Sequence, residues 1–203
     1  MIFIGITGGI GSGKSYICSL FAEKKIPIFH ADEAAKEISE QSDVRKEIVS
    51  VFGNSILTTD KTIDRKKLAS IVFSEHKKLL LLNSIIHPRV FAEFESWKKS
   101  LHQRNHYAVA EAALMFESGM DEKVDYVLSV IADDEIRIKR VVERDHSSDD
   151  MVISRMTNQL PTQELIERSD FVINNNGTKE EAASKVSFFH TLFSTLTQRK
   201  EIQ

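Results

Sequence analysis

The apolar positions of this chain form short continuous runs near its start and in its second half, separated by a long stretch of helical periodicity. Ile2 to Ile6 is a continuous apolar run, the mark of a central parallel strand covered on both faces. Ile17, Leu20 and Phe21 follow at i, i+3 and i+4, so a helix begins near Lys14, and Pro27 requires it to end. IPIFH, residues 26 to 30, reads as a second strand, completing a βαβ unit. From residue 33 to about 103 the pattern is helical throughout. Val44, Ile48, Val51 and Phe52 mark a helix stopped by Gly53; Leu68, Ile71 and Val72 mark another after Asp64. Leu79 to Leu82, Ile85 and Ile86 lead to Pro88, which is expected to end one helix and start the next, carrying Val90, Phe91, Phe94, Trp97 and Leu101. His106 to Ala112, Tyr126 to Ile131 and Asp170 to Ile173 read as the third, fourth and last strands. Asp133 or Asp134 caps a helix with Ile138, Val141 and Val142 on its buried side, Met151 to Gln159 is helical up to Pro161, and Thr178 to about Arg199 is an amphipathic tail helix.

The chemistry concentrates where the first strand ends. GGIGSGKS, residues 8 to 15, fits G-x-x-x-x-G-K-[ST], the P-loop, with Gly8, Gly13, Lys14 and Ser15 at the fixed positions. Glycine lets the backbone turn tightly enough for several N–H groups to face one oxyanion, and the helix N-terminus behind it favours negative charge. Lys14 suits the β- and γ-phosphates of a nucleotide, and the Ser15 hydroxyl suits Mg²⁺. Asp32 emerges past the carboxyl end of the second strand, the edge where open α/β sheets bind ligands, but an N-cap for a helix starting near Glu33 explains it equally. Glu111, near the end of the third strand, is placed to hold a metal-bound water; for it and for Glu117 a solvated loop carboxylate is the plain alternative. Arg137, Arg140 and Arg144 recur along one helix face and lead into DHSSDD, residues 145 to 150. Such a row is either a wetted surface or a lid that brings guanidinium groups to a transferring phosphoryl. NNNG, residues 174 to 177, is a turn suited to touching a nucleobase.

Composition narrows the setting. The chain has 203 residues, 41% of them hydrophobic, enough for one domain or one core with inserted subdomains. With a formal charge of −3 nothing suggests a wholesale nucleic-acid or acidic-membrane binder, and any basic surface must be local. The single cysteine, Cys18, excludes an internal disulfide and points to a reducing compartment; beside a helix start its thiol is either acidified or simply packed. The N-terminus has no basic region, and glycines break its apolar stretch, so a cytoplasmic protein without a membrane segment is expected.

Over essentially its whole length the chain resembles the dephospho-CoA kinase family. GITGGIGSGKS is that family's form of the P-loop, and HAD (30 to 32), DRKKLASIVF (64 to 73), HPRV (87 to 90), LMFE (114 to 117) and SDFVINNNG (169 to 177) are similar to its later segments. The resemblance implies an α/β fold: a P-loop kinase core with a five-stranded parallel sheet, a helical substrate-binding insertion and a small lid. Within a single domain over 1–203, the core is about 1–32, 104–136 and 168–203, the CoA-substrate subdomain about 33–103 and the lid about 137–167. It implies transfer of the ATP γ-phosphoryl to the 3′-hydroxyl of dephospho-CoA with Mg²⁺; a monomer or small homo-oligomer is expected, though the sequence itself carries no signal for the oligomeric state. Carried over, Gly11, Ser12, Gly13, Lys14, Ser15 and Tyr16 bind ATP, and Ser15 and Glu111 serve the metal. Asp32, Lys14 and Arg140 are catalytic, while His87, Arg89 and Glu117 face the acceptor. Three positions depart from the family pattern, His30 for aspartate, Tyr16 for threonine and Ala113 for proline; His30 leaves Asp32 as the one carboxylate of that segment. Without the resemblance, a kinase of another small alcohol or nucleoside monophosphate, or a non-catalytic nucleotide switch, fits the same motif.

Overall fold

The computed structural model describes residues 1–102 and 106–200. The chain divides into two compact units, Met1–Phe29 with Leu101–Gln203, and His30–Ser100. The boundary expected at 103 and 104 lies outside the described residues.

The first unit is built on β1 (Ile2–Thr7), α1 (Lys14–Glu23) and β2 (Ile28–His30), whose last residue opens the second unit. The second unit continues with α2 (Ala31–Glu40), α3 (Ser42–Phe52), α4 (Arg65–Ser74) and α5 (His76–Ser100). The first then resumes with β3 (Tyr107–Glu111), α6 (Met115–Ser118), β4 (Tyr126–Ile131), α7 (Asp134–Asp145), α8 (Asp149–Met156), α9 (Thr162–Arg168), β5 (Phe171–Asn174) and α10 (Lys179–Lys200). The strands form one sheet of five in the order β2-β3-β1-β4-β5, and β1 pairs parallel with both β3 and β4. The sheet is covered on both faces, which is why its central strands are apolar without alternation. Ile2, Ile4 and Ile6 share a buried cluster with Ile17, Cys18 and Phe21 of α1 and with Ala182, Val186 and Phe193 of α10. Behind Gly5, on the opposite face, sits the side chain of Met115 from α6. Because β1 is central, its carboxyl end delivers Gly8 to Ser15 to the middle of one sheet edge, and Ile6 opposite Glu111 in the parallel register sets that carboxylate beside the loop.

In the helical unit, Asp64 caps α4, its Oδ1 accepting the N–H groups of Lys66 and Lys67 at 3.1 Å each. Gly53 ends α3 at a φ of 82°. Proline does not divide α5: the helix runs 25 residues with Pro88 inside it. The missing N–H costs one rung of the ladder, but Ile85, Val90 and Phe94 are all buried and hold both halves on one course. Arg89 further braces the turn, Nη1 donating to the Ile85 carbonyl at 2.6 Å. Local breaker chemistry is overruled here by burial along the helix.

Three other expectations need correction. The second helix starts at Ala31 rather than Glu33, so Asp32 lies within its first turn and His30 occupies the cap position without a side-chain cap bond. Pro161 begins a helix, α9, instead of only ending one, because a fixed φ and an absent N–H are tolerated at a helix start. Only the middle of DHSSDD, His146 to Ser148, is loop; Asp145 ends α7, and Asp149 and Asp150 begin α8.

Burial depresses the His87 pKa below its ordinary value of 6.5. The unfolded chain therefore binds the proton more readily, so this residue's contribution to stability is complete above about pH 6.5 and is lost as the pH falls from there through the lower folded value. Urea unfolding of the wild-type protein and of His87→Asn between pH 7.5 and 5 is expected to show a stability difference that shrinks on acidification.

Candidate active site

A loop leaving the end of a central strand must turn sharply, and here the turn is made by glycines in the left-handed region, Gly11 at φ 78° and Gly13 at φ 89°. Gly13 occupies the N-cap of α1. The N–H groups of the first helical turn have no intrahelical acceptor, so a ring of donors and the positive end of the helix face a cavity of about 480 Å³. Gly8 to Gly11, Gly13 to Tyr16, Ala113, Arg140, Arg144 and Gln159 line it.

Lys14 and Ser15 are not isolated. Lys14 Nζ lies 2.7 Å from Glu111 Oε1, and the Ser15 hydroxyl donates to the same oxygen at 3.1 Å. Glu111 is buried, which rules out the solvated-loop reading of this carboxylate. A hydroxyl and a carboxylate this close offer hard oxygen donors of the kind a Mg²⁺-sized cation accepts, with phosphate oxygens and water completing the shell. Among the described residues no cluster of three or more His, Cys, Asp or Glu side chains could hold a metal by itself. The donor set therefore fits a metal that arrives with a nucleotide.

Cys18, one turn further along α1, is buried, and burial together with the Glu111 charge pushes its thiol up from 9.0. It packs as an apolar residue and is not an acidified thiol. Tyr16 is half-buried against the core, with Lys179 Nζ 6.0 Å from its ring centre.

The arginine row does not form one wet face. Arg137 is buried, its Nε donating to the Ile10 carbonyl at 2.9 Å and its Nη1 to Asp134 Oδ1 at 2.9 Å and Thr162 Oγ1 at 3.3 Å. The α7 stripe includes this guanidinium because a planar five-donor group can be sunk where backbone and side-chain oxygens surround it. Arg140 donates to the Ser12 carbonyl at 3.4 Å and to the Asn175 carbonyl at 2.9 Å. Arg144 is exposed and forms a fork with Asp145 at 2.7 and 3.0 Å, where Arg155 also reaches the carboxylate. These guanidinium groups hold the Asp145 carboxyl below its ordinary range.

Gln159, which the sequence pattern did not single out, and Asn175, which it noted only as part of the NNNG turn, complete the loop's surroundings. Gln159 Oε1 accepts the Ile10 N–H at 2.8 Å, and buried Asn175 donates Nδ2 to the Ser12 carbonyl at 2.8 Å. Asn175 lies within the NNNG turn noted for a nucleobase, so its position was visible although its contact was not. Gln159 had no signal beyond being polar ahead of Pro161. Of the remaining expected site residues, Glu117 is exposed on α6. Asp32, His87 and Arg89 belong to the helical unit: Asp32 exposed in the first turn of α2, His87 half-buried on α5, Arg89 paired with Glu47 at 2.7 Å.

A glycine-rich cradle at the carboxyl edge of a parallel sheet, with a lysine, a hydroxyl and an acidic strand-end residue converging on it, defines a P-loop nucleotide-binding fold. Residues 2–181 match the family model for dephospho-CoA kinase, and the chain belongs to that family. A dephospho-CoA kinase of Fusobacterium nucleatum is 41% identical over 189 residues, covering 93% of this chain and 97% of that protein. Among solved structures, TT1252 from Thermus thermophilus superposes with a TM-score of 0.83 at 29% identity, covering 94% of this chain and 96% of that one. The dephospho-CoA kinase from Campylobacter jejuni gives 0.70 at 26% identity, covering 95% and 97%. Membership makes this an ATP-dependent kinase, a transferase acting on an alcohol group with the help of a divalent metal. No described helix is long and apolar enough to cross a membrane.

The Lys14–Glu111 pair is withdrawn from water, with side-chain exposures of 11% and 10%. Lys14→Met leaves a buried carboxylate without its cation and is expected to cost about 3 kcal/mol in urea unfolding. Lys14→Met/Glu111→Leu is expected to recover most of that loss, giving a large coupling in the double-mutant cycle.

Proposed function

We propose that this protein transfers the γ-phosphoryl group of ATP to the ribose 3′-hydroxyl of dephospho-CoA, releasing coenzyme A and ADP, in the cytoplasm and as a monomer or small homo-oligomer. The observation that carries the reading is the convergence of Lys14, Ser15 and Glu111 on one point at the mouth of the glycine loop. Gly11 to Tyr16 hold the triphosphate, the backbone N–H groups donating to its oxygens and Lys14 bridging the β- and γ-phosphates. Ser15 and Glu111 would hold Mg²⁺, which supplies charge neutralisation across the phosphates.

The acceptor's 3′-oxygen forms its bond to the γ-phosphorus as the bond to the β–γ bridging oxygen breaks, and the electron pair leaves with ADP. Asp32 orients the attacking hydroxyl and takes its proton. The family resemblance supports this role, since Asp32 matches the last carboxylate of that family's usual pattern while His30, two positions earlier, stands where the family has another; Asp32 lies in the first turn of α2, just past β2. Arg140 meets charge that develops on the transferring group, which asks it to exchange its present carbonyl partners for phosphoryl oxygen. His87, Arg89 and Glu117 serve the acceptor.

A coupled ADP-release assay with dephospho-CoA, AMP, CMP and shikimate is expected to show turnover with dephospho-CoA alone. Asp32→Asn is expected to fold with an unchanged melting temperature and to lose at least about a hundredfold in kcat, the scale of a general base. Undiminished turnover would remove Asp32 from the proton path.

A further inference from the structure

Two of the side chains that hold the backbone of the glycine loop do not line its cavity. Arg137 and Asn175 are both buried, and both donate to loop carbonyls, Arg137 Nε to Ile10 at 2.9 Å and Asn175 Nδ2 to Ser12 at 2.8 Å. The cavity wall includes Gly11 and Gly13 but not Arg137, Ser12 or Asn175. All peptide bonds described are trans. In a trans peptide the carbonyl and the following N–H belong to one rigid plane and point in opposite directions. A carbonyl tied away from the cavity therefore turns the next N–H toward it: the Ile10 carbonyl governs the Gly11 amide, and the Ser12 carbonyl governs the Gly13 amide.

The neighbouring amides are already committed. The Ile10 N–H is bonded to Gln159 Oε1 at 2.8 Å, and the Ser12 N–H to the Gly9 carbonyl at 3.1 Å. The loop thus alternates between amides used to brace it and amides turned inward.

We infer that Arg137 and Asn175 are positioning residues for phosphate binding, each aiming one amide, Gly11 and Gly13 respectively, by holding the carbonyl on the far side of the same peptide plane. This rests on the nucleotide reading of the cradle. Neither side chain touches substrate, and their effect reaches it through the backbone. Free rotation of a loop peptide between inward and outward N–H is removed before the ligand arrives, so less ordering remains to be done on binding. Arg140 adds a second, longer donor to the Ser12 carbonyl, so the Gly13 plane is held by two side chains and the Gly11 plane by one.

The test is ADP titration of the ¹⁵N-labelled protein, following backbone amides one by one, alongside steady-state kinetics. In the wild-type protein the Gly11 and Gly13 amides are expected to move strongly downfield on ADP binding while Ile10 and Ser12 move little. Asn175→Leu, neutral and close in size, is expected to diminish the Gly13 response and spare Gly11; Arg137→Met is expected to do the reverse. Each should raise KM for ATP about tenfold, the scale of one hydrogen bond to a charged group, and leave KM for dephospho-CoA within about twofold. Should either fail to fold, Asn175→Ser and Arg137→Lys, which keep a donor in altered reach, are expected to give the same selectivity in weaker form. Equal loss at both amides, or wild-type responses in the variants, would overturn the inference while leaving nucleotide binding intact. Absence of any Gly11 or Gly13 response in the wild-type protein would overturn the nucleotide reading and this one with it.

Discussion

A strand in the middle of a covered parallel sheet ends with a demand: the chain must reverse into a helix at once, and every backbone group in the turn needs a partner. The rest of this molecule is arranged around how that demand is met at the end of β1. The carbonyls of Ile10 and Ser12 and the N–H of Ile10 are taken by side chains from α7, from the segment before α9 and from the turn after β5. What is left over points at the cavity. Ligand affinity here comes from the loop amides that are left turned toward the cavity.

Charge follows the same logic. With a net charge of −3 the protein has no general attraction for polyanions, and the cationic groups that matter are concentrated at one sheet edge. Lys14 is balanced by Glu111 in a largely dry setting, while Arg140 rests on carbonyls. Arg144 differs: its fork with Asp145 is open to solvent and cheap to exchange. The three arginines of α7 thus occupy three levels of commitment, from a buried brace to an exposed and replaceable pair.

Much of the architecture was legible in the sequence because its signals are local. The apolar run of β1, the glycine spacing and the amphipathic start of α1 stand side by side in the chain, and the five strands and the helical insertion follow from periodicity and resemblance. Glu111 was readable as a strand-end carboxylate. What was not readable depended on distant neighbours. Pro88 looks like a boundary until the burial of Ile85 and Phe94 is seen to hold α5 together. Arg137 looks like surface because its partners lie in other segments, Ile10 and Thr162. Gln159 carries no pattern at all, since a single side-chain oxygen meeting a single amide leaves no trace in spacing.

The order in which the chain is synthesised now acquires a meaning. Ser12 and Asn175, joined by a hydrogen bond, are 163 positions apart. At roughly 5–20 residues per second, ribosomal elongation separates them by about ten to thirty seconds. The nucleotide loop thus leaves the ribosome well before the turn that supplies one of its braces. A nascent chain can complete the helical unit in that interval, yet the grip on phosphate must wait for a turn that emerges long afterward.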